Sequence, residues 1–402
     1  MHPEDAKKPT KFFGLSRNVI SMGTVSFLND LSSDMIFPFI PIFLTSVLGA
    51  GATFVGLVEG VADATASILK IVSGRRSDSL KIRKPFVVFG YSLSAVAKPI
   101  LSLASAPWHV LVVRFVDRVG KGTRDAPRDA LLSFSTEKKN VGRAFGFHRA
   151  SDTMGAALGP LIAFLILPLL HNNLRSLFLL SFVASLFAVI ILQIFVREVK
   201  SHADGIIKPK FEFKFLGLPF LIFLIASTIF AIGRPSEAFM LLRARDLGVM
   251  LALLPIIYFV YNIVFALVSV PAGILSDRIG HRNTFMIGML IFVLSYFLFA
   301  TTHSVLTVWL LFGLYGVSNA FTGGIGRAIV ADLVDEHWRA TAYGMYNAFT
   351  GFAALPASLV FGILWDKWGP AFSFYYGALL GLMAFVIFLF LRVKNRAPRL
   401  SQ

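Results

Sequence analysis

The chain has no cysteine and comparatively few charged residues. Of its 402 residues, 15% are Asp, Glu, Lys or Arg, whereas 56% are hydrophobic and 41 are phenylalanine. The absence of cysteine excludes disulfide bonds and thiolate metal sites, and it is compatible with either redox compartment. The shortage of charge, together with a mean hydropathy of +0.73, argues against a water-soluble domain. We therefore expect a membrane-embedded chain.

Apolar blocks long enough to cross a bilayer recur along the sequence, since a helix needs roughly 20 residues to span the hydrocarbon layer. Clear blocks occupy residues 86–106, 176–195, 216–232, 286–301 and 372–391. Apolar spans with a few embedded polar residues occupy residues 19–48, 52–72, 108–132 and 340–364. This pattern predicts an all-α membrane protein of about twelve transmembrane helices. No cleavable signal peptide is expected, because the first apolar stretch is a full-length helix.

The net charge of +16 would suit a nucleic-acid partner, but the positions of the charges argue otherwise. If the amino terminus is cytoplasmic and twelve helices follow, most Lys and Arg residues lie on the cytoplasmic side, as the positive-inside bias requires. Arg175, Arg243, Arg245 and Lys367 are the exceptions. We therefore expect a monomeric, multi-pass protein of the cell inner membrane, with both termini cytoplasmic and no nucleic-acid partner.

The sequence divides into two related halves. The polar, basic residues 197–214 predict a cytoplasmic linker between a bundle of six helices at 1–196 and a second at 215–402. A constant offset of 199 residues relates three landmarks in the two halves. The matched residues are Leu48 and Leu247, Gly74 and Gly273, and Arg128 and Arg327. Such repeats are typical of transporters, which bind their solute near mid-membrane where the halves meet.

A repeated motif follows the second helix of each half. Residues 74–84 read GRRSDSLKIRK, and residues 273–282 read GILSDRIGHR. Both resemble the signature loop of the major facilitator superfamily, although the first copy has Arg76, Ser79 and Lys81 where the pattern has leucine, arginine and glycine. The resemblance implies two pseudo-symmetric six-helix bundles that rock about a central site. It also assigns residues to the gates, namely Gly74, Asp78, Gly273, Asp277, Arg278, Gly280 and Arg282.

A fragment on the fifth helix, GAALGPLIA at residues 155–163, is similar to the antiporter motif of the drug/proton antiporters in that superfamily. Alanine replaces its last glycine. Gly155 and Gly159 allow a close helix contact, and Pro160 favours a bend. The fragment is therefore either a packing device alone or an indication of export.

Ionisable residues at bilayer depth cluster in the first half, and each requires water or a partner. The candidates for proton coupling or substrate binding are Asp30, Asp34, Glu59, Asp63, Arg114, Asp117 and Arg118. Counting along the helices places Asp34, Asp63, Asp117 and Arg118 near the midplane, where we expect them around one cavity. Asp34 and Asp63 are either proton carriers, because burial favours the neutral carboxyl group, or permanent partners of Arg114 or Arg118.

The end of the fourth helix, residues 121–129, lies nearer the cytoplasm. We expect this segment, including Arg128 and Asp129, to form a charge network with Asp78 that holds a gate shut. The alternative is a solvated basic helix end. Arg118 and Gly122 also fit the R-x-x-x-G spacing that the resemblance links to proton transfer, with Arg114 as the second candidate.

The second half is poor in charge and rich in aromatic residues. We expect Arg234 and Glu237 to pair on helix seven at the i, i+3 spacing, and Asn262 occupies the position that matches Asp63. Pocket candidates are Arg234, Glu237, Tyr258, Tyr261, Asn262, Asn319, Tyr346 and Asn347, although such residues also serve in ordinary packing.

These patterns favour a secondary transporter that exports a small amphipathic compound and uses the proton as its coupling ion, without a metal or other cofactor. A carrier of an organic anion, phosphorylated metabolite, siderophore-like chelate or lipid headgroup compound is the alternative. A membrane-embedded enzyme or a sensor is more remote, because the sequence has no HExxH or GxSxG motif.

Overall fold

The computed structural model describes residues 15–136, 140–199, 217–335 and 338–391, and within these residues the chain is all-α with twelve helical spans. The first half contains α1 (Arg17–Ile36, continuing through proline-containing turns to Val47), α2 (Ala52–Leu80), α3 (Lys84–Ser102), α4 (Pro107–Phe134), α5 (Val141–Ile166) and α6 (Leu174–Phe195). The second half contains α7a (Gly217–Ile232), α7b (Ala238–Asp246), α8 (Leu251–Ile279), α9 (His281–Thr301), α10a (Val305–Thr322), α10b (Ile325–Leu333), α11 (Arg339–Trp368) and α12 (Pro370–Leu389). The predicted cytoplasmic termini and most of the predicted linker lie outside these residues.

The twelve helical spans differ in length and in the share of apolar residues. Eight of the described helices are long and apolar enough to cross a membrane by themselves. The remaining spans are α2, α4 and α5, which carry charged residues, and α7, which is interrupted. Large apolar side chains such as Phe187, Leu267 and Val270 are more than half exposed. The molecule therefore presents an apolar outer surface, as a membrane requires, and the prediction of twelve spans is confirmed.

The internal repeat is visible in the backbone. The helices α2 and α8 begin and end 199 residues apart. The turns around them also match, since Gly49 and Gly248 both have positive φ, as do Lys81 and Gly280. A lysine at φ +54° is strained relative to glycine. The first signature loop thus keeps a left-handed backbone conformation at Lys81, although the motif has glycine at this position.

The helices pack as two groups of six. In the first half, α1 packs on α5 and α6, and α4 packs on α2 and α3. In the second half, α10a packs on α8 and α9, while α12 packs on α7a, α9 and α11. The main contacts between the halves join α2 to α11 and α5 to α8. This is the predicted arrangement of two bundles with an interface between them.

The two ends of this interface differ. We call the end at which α1 begins the linker face and the opposite end the far face. Near the far face the bundles are in close contact. A Cβ atom added at Gly60 would lie 2.9 Å from Leu355 Cα, and one added at Gly362 would lie 2.8 Å from Thr53 Cα. Towards the linker face, Gly273 and Gly344 have no described neighbour within 4 Å of such an atom. The interface is therefore closed at the far face and open towards the linker face.

Candidate functional site

A cavity of about 250 Å³ lies between the bundles. Among the described residues, six acidic and four basic side chains line it. They are Asp30, Asp34, Glu59, Asp63, Arg114, Asp117, Arg118, Lys121, Arg124 and Glu237. All seven charged residues that the sequence proposed for coupling are among them, as is the pocket candidate Tyr258. We call this space the central cavity.

Close packing of α5 on the back of α1 holds the acidic turn in place. A Cβ atom at Gly159 would lie 2.5 Å from the Leu31 carbonyl oxygen and 2.8 Å from the Met35 amide nitrogen. Gly155 meets the same helix one turn earlier, beside Asp30. The antiporter-like motif therefore acts as a packing device directly behind Asp30 and Asp34, with Pro160 inside an uninterrupted helix.

Arg114 makes the tightest ion pair of the cavity. Its Nη2 donates to both carboxylate oxygens of Glu59, at 2.9 and 2.7 Å, and its Nη1 lies 3.7 Å from Asp117. Arg118 Nε also lies 3.9 Å from Asp117. Glu59 and Arg114 are only 1% and 6% exposed, so the buried Glu59 carboxylate depends on Arg114 for compensation, while Arg114 also has Asp117.

Asp34 and Asp63 are arranged differently from Glu59. Both are half-buried, and among the described residues no Lys, Arg or His nitrogen lies within 4.0 Å of either carboxylate. The alternative that these two acids form a permanent pair with Arg114 or Arg118 is therefore not the arrangement seen here. The arginines face Glu59 and Asp117 instead.

An interruption in the seventh span, residues 233–237, connects the two halves of the site. Pro235 removes a backbone donor and disfavours helical conformation at the preceding residue, which explains the break. In this break, the Ser236 amide donates to Ser358 Oγ at 3.2 Å, and the Ser236 hydroxyl lies 3.4 Å from Glu59. Ser236 therefore contacts both bundles, which the sequence pattern did not indicate.

The predicted pairing of Arg234 with Glu237 on helix seven is wrong. Both residues lie in the break rather than on a helix, and no ion pair joins them within the described chain. Tyr315 Oη donates to Glu237 at 3.4 Å, and Glu237 lines the central cavity. Arg234 lines a second cavity. The interrupted backbone removes the regular i, i+3 geometry on which the prediction depended.

The second cavity, of about 290 Å³, lies within the second half, and we call it the C-bundle cavity. Its walls include Phe230, Arg234, Phe285, Arg327, Tyr346 and Asn347. Two other pocket candidates lie elsewhere: Asn319 Nδ2 donates to Tyr261 Oη at 2.6 Å, and both side chains are buried in the packing between α8 and α10a. Asn262 lines neither cavity, and its Nδ2 is buried without a described partner.

The gate residues of the first half form two clusters rather than one network. Asp78 Oδ1 lies 3.6 Å from Arg83 in its own loop, instead of pairing with α4 as predicted. On α4, Asp125 lies 3.8 Å from Lys70 Nζ and 3.9 Å from Arg128 Nη1. Arg128 also contacts Asp129 at 2.9 Å. Because the halves are apart at this face, these charges pair within one bundle.

Part of the predicted gate segment belongs to the cavity. Lys121 and Arg124 line the central cavity, although depth counting placed them too near the cytoplasm for this. Arg124 Nη1 donates to Ser94 Oγ at 2.7 Å, and its guanidinium group lies 4.3 Å from the Tyr91 ring centroid. The cavity extends towards the linker face, so residues near the helix end remain in contact with it.

In the second signature loop a histidine connects three helices. His281 Nδ1 lies 2.6 Å from Asp332 Oδ2, and its Nε2 lies 3.6 Å from Asp277 Oδ1. Arg282 Nη2 donates to the Leu389 carbonyl oxygen at 2.8 Å, while Arg278 is exposed. Gly280 ends α8 with φ +90°. No group of three or more His, Asp or Glu residues in the described chain is placed to hold a metal ion.

A contact at the far face joins residues that no sequence motif connects. Gly51 precedes α2 and offers no side-chain cap. Instead, the carboxylate of Asp366 on α11 accepts from the amides of Ala52 and Thr53, at 2.9 and 2.8 Å. A helix from one bundle is thus capped by a residue of the other. We call this contact the far-face latch; the uncapped glycine was its only local signal.

Comparison with known proteins agrees with this architecture. The family model of the Major Facilitator Superfamily matches residues 22–242 and 219–402. An uncharacterised MFS-type transporter of Methanocaldococcus jannaschii is 38% identical over 383 residues, which cover 94% of this chain and 95% of the relative. The multidrug resistance protein MdtH of Baumannia cicadellinicola is 23% identical over 332 residues, covering 81% and 77% of the two chains.

Solved structures share the fold at lower sequence identity. The nucleoside transporter NupG superposes with a TM-score of 0.78 at 16% identity, covering 92% of this chain and 98% of that one. A POT family transporter in complex with 5-aminolevulinic acid gives a TM-score of 0.77 at 16% identity, covering 95% and 96%. The chain forms two helical bundles with a charged cavity between them, and the family model matches nearly all of it. This multi-pass membrane protein therefore belongs to the Major Facilitator Superfamily of transporters.

Proposed function

We propose that this protein is a proton-coupled secondary transporter that exports a small amphipathic compound by alternating access. The observation that carries the proposal is the contrast between the acids of the central cavity. Glu59 and Asp117 face arginines, whereas Asp34 and Asp63 have no cation within 4.0 Å in the described chain. A carboxyl group without a fixed counter-ion is free to exchange a proton when its surroundings change.

The proposed cycle uses the two ends of the interface in turn. We assign the linker face to the cytoplasmic side of the inner membrane, because its loops and helix ends carry most of the basic residues. With that face open, water hydrates the cavity and favours ionised Asp34 and Asp63. When the linker face closes and the far face opens, the same carboxyl groups meet the more acidic outer medium and take up protons, which they release to the cytoplasm once the linker face opens again.

Two features support export over import. The Gly155 to Pro160 fragment is similar to an antiporter motif and packs behind Asp30 and Asp34. In addition, relatives with 23–31% identity, over 32–81% of this chain, are named multidrug resistance protein MdtH. A proton antiporter that removes amphipathic compounds agrees with both.

A transport experiment in sealed vesicles tests the coupling. We expect the parent protein to accumulate labelled naphthalene-2-sulfonate, used as a probe, in vesicles with an acidic lumen, and to stop when an ionophore abolishes the pH gradient. Asp34→Asn and Asp63→Asn should lose gradient-driven accumulation by about tenfold or more, because general acid–base groups contribute at least that much to proton transfer. They should retain exchange of labelled for unlabelled probe.

The matched control is Asp335→Asn, which neutralises an exposed carboxyl group outside both cavities. It should behave like the parent. Accumulation that is independent of the pH gradient, or unchanged in both Asp34→Asn and Asp63→Asn, would contradict proton coupling.

The far-face latch provides a separate test of alternating access. Asp366→Ala removes the acceptor for two amides of α2, and such a cap contributes about 0.5–2 kcal/mol, so the far-face-open state should become roughly fivefold more populated. Because the chain has no native cysteine, a single Ala52→Cys reports this through its rate of labelling by an impermeant maleimide. Lys367→Ala, which removes a neighbouring exposed charge, should leave the rate unchanged. Equal rates in Asp366→Ala and the parent would argue against a latch.

A further inference from the structure

The described charged residues that line the C-bundle cavity are all basic. Two arginines line it, Arg234 from the α7 break and Arg327 from α10b, and no acidic residue is found among its described lining residues. Neither arginine has a carboxylate oxygen within 4.0 Å in the described chain. Glu237, three residues after Arg234, contacts Tyr315 and lines the central cavity.

Arg234 is partly buried in the α7 break, whereas Arg327 is exposed. A buried cation without a close carboxylate is costly unless it faces water or an anion. In the central cavity, carboxylates compensate the charges of the arginines, as in the Arg114–Glu59 pair. The C-bundle cavity supplies no such partner, although its volume of about 290 Å³ is large enough for a small organic molecule. Its electrostatics therefore favour an anionic occupant.

Neutral groups in the same walls would complement an anion with an apolar body. Phe230, Phe285 and Tyr346 provide aromatic surface, and Asn347 provides an amide. Ser227 also lines the cavity and is 3% exposed, and its Oγ has no hydrogen-bond partner in the described chain. An unused buried donor is costly without a ligand or water, so its presence is a second, independent indication of a binding site.

Breaks in two helical spans also border the C-bundle cavity. Both interrupted spans of the second half border it: Arg234 lies in the α7 break, and Gly323 lies in the break before α10b. Irregular backbone in a membrane is tolerated where it lines a cavity, and transporter sites use such breaks.

We propose that the C-bundle cavity binds the anionic group of the transported solute, and that the substrates are amphipathic organic anions with a carboxylate, sulfonate or phosphate group on an apolar body. The proposal rests on the proposed transport function. Arg234 and Arg327 bind the anionic group, and the aromatic residues contact the apolar body. The central cavity keeps the proton chemistry, so the two roles belong to different bundles and meet at the α7 break.

A binding experiment with matched probes tests this assignment. Naphthalene-2-sulfonate, 2-naphthyl phosphate, neutral 2-naphthalenemethanol and cationic 2-naphthylmethylamine share one ring system and differ in charge. We expect the purified full-length protein in lipid nanodiscs to bind the two anions with a Kd about tenfold or more below that of the others, because charge-assisted hydrogen bonds distinguish them. Arg327→Gln and Arg234→Gln should each raise the Kd of the anions by about tenfold and leave that of the neutral probe unchanged.

Controls separate a binding role from a structural one. Arg327→Lys and Arg234→Lys keep the charge and should retain the preference for anions. Arg149→Gln, which removes an exposed arginine of α5 outside both cavities, should not change any Kd. Arg327 is itself exposed, so its Gln variant is expected to fold even if Arg234→Gln does not.

The outcomes are distinct from those of the coupling experiment. Equal affinity for all four probes, or anion binding that is unchanged in Arg327→Gln and in Arg234→Gln, would overturn the assignment. A drop in affinity for the neutral probe as large as for the anions would do the same, since it would indicate a structural role. Anion binding that depends on both arginines would support the assignment even if transport proved independent of the pH gradient.

Discussion

Replacing Arg114 by Gln is expected to lower the free energy of unfolding by about 3–5 kcal/mol, the usual cost of removing one member of a buried ion pair. The reason is that Glu59, 1% exposed, would keep a buried carboxylate without a cation. The only other side chain hydrogen-bonded to it in the described chain is Ser236, at 3.4 Å. The change can be measured by reversible unfolding in mixed micelles of detergent and SDS.

The opposite substitution provides the matched control. Glu59→Gln removes the same ion pair, but Arg114 still has Asp117 at 3.7 Å. The loss of stability should therefore be clearly smaller than for Arg114→Gln. The double variant should recover much of the loss, because it leaves two neutral amides of similar shape. If Glu59→Gln costs as much as Arg114→Gln, the Asp117 contact does not compensate and this interpretation fails.

Some of this arrangement follows directly from the sequence. Apolar runs predicted the helices, and the constant offset between Gly74 and Gly273 predicted the repeat that α2 and α8 display. The i, i+4 spacing of Asp30 and Asp34 placed both on one face of α1, and both line the central cavity. Periodicity carries this information because a helix in lipid must turn its charged face away from the hydrocarbon.

The partners of the charges could not be predicted in the same way. Glu59 and Asp63 lie one turn apart on the same face of α2, a rise of about 6 Å. Counting depth from the membrane surface does not resolve which of them meets Arg114 on a neighbouring helix. The answer depends on how α2 and α4 are staggered, and close approaches at glycine set that stagger. At Gly122, for example, an added Cβ atom would lie 2.8 Å from the Ala66 carbonyl oxygen.

Features that depend on distant residues were also beyond the sequence pattern. The Asp366 cap joins residues more than 300 positions apart, and no local rule connects them. Arg234 and Glu237 were predicted to pair on helix seven, but the break at Pro235 places them at different cavities. The sequence therefore predicted which residues face the interior, whereas the structure was needed to separate an acidic cavity from a basic one.

A bulky side chain at Gly56 is expected to prevent closure of the far face rather than to unfold the protein. A Cβ atom there would overlap the Ser358 carbonyl oxygen and lie 2.8 Å from the Ser358 carbonyl carbon. These are backbone atoms of α11, in the other bundle, so they cannot move aside as a flexible side chain would. Overpacking of this kind costs about 1–3 kcal/mol, and separating the bundles relieves it.

We therefore expect Gly56→Leu to increase the population of the far-face-open state by roughly 5- to 150-fold, with a matching rise in maleimide labelling at Ala52→Cys. Vesicle transport should fall by a similar factor, because the proposed cycle requires the far face to close. The fold should remain, since the clash lies between the bundles.

Two other glycines give the matched controls for this mechanism. Gly120 contacts the Gly90 carbonyl oxygen within the first bundle, where a Cβ atom would lie 2.5 Å from it. Gly120→Leu has no rigid-body movement available to relieve the clash, so it should lower stability without raising the labelling rate. Gly344 on α11 has no described neighbour within 4 Å, so Gly344→Leu should change neither. Loss of folding in Gly56→Leu, with labelling at the parent rate in the folded fraction, would mean that the α2–α11 contact is a fixed part of the core. The opening of the far face that the proposed export requires would then have to occur elsewhere.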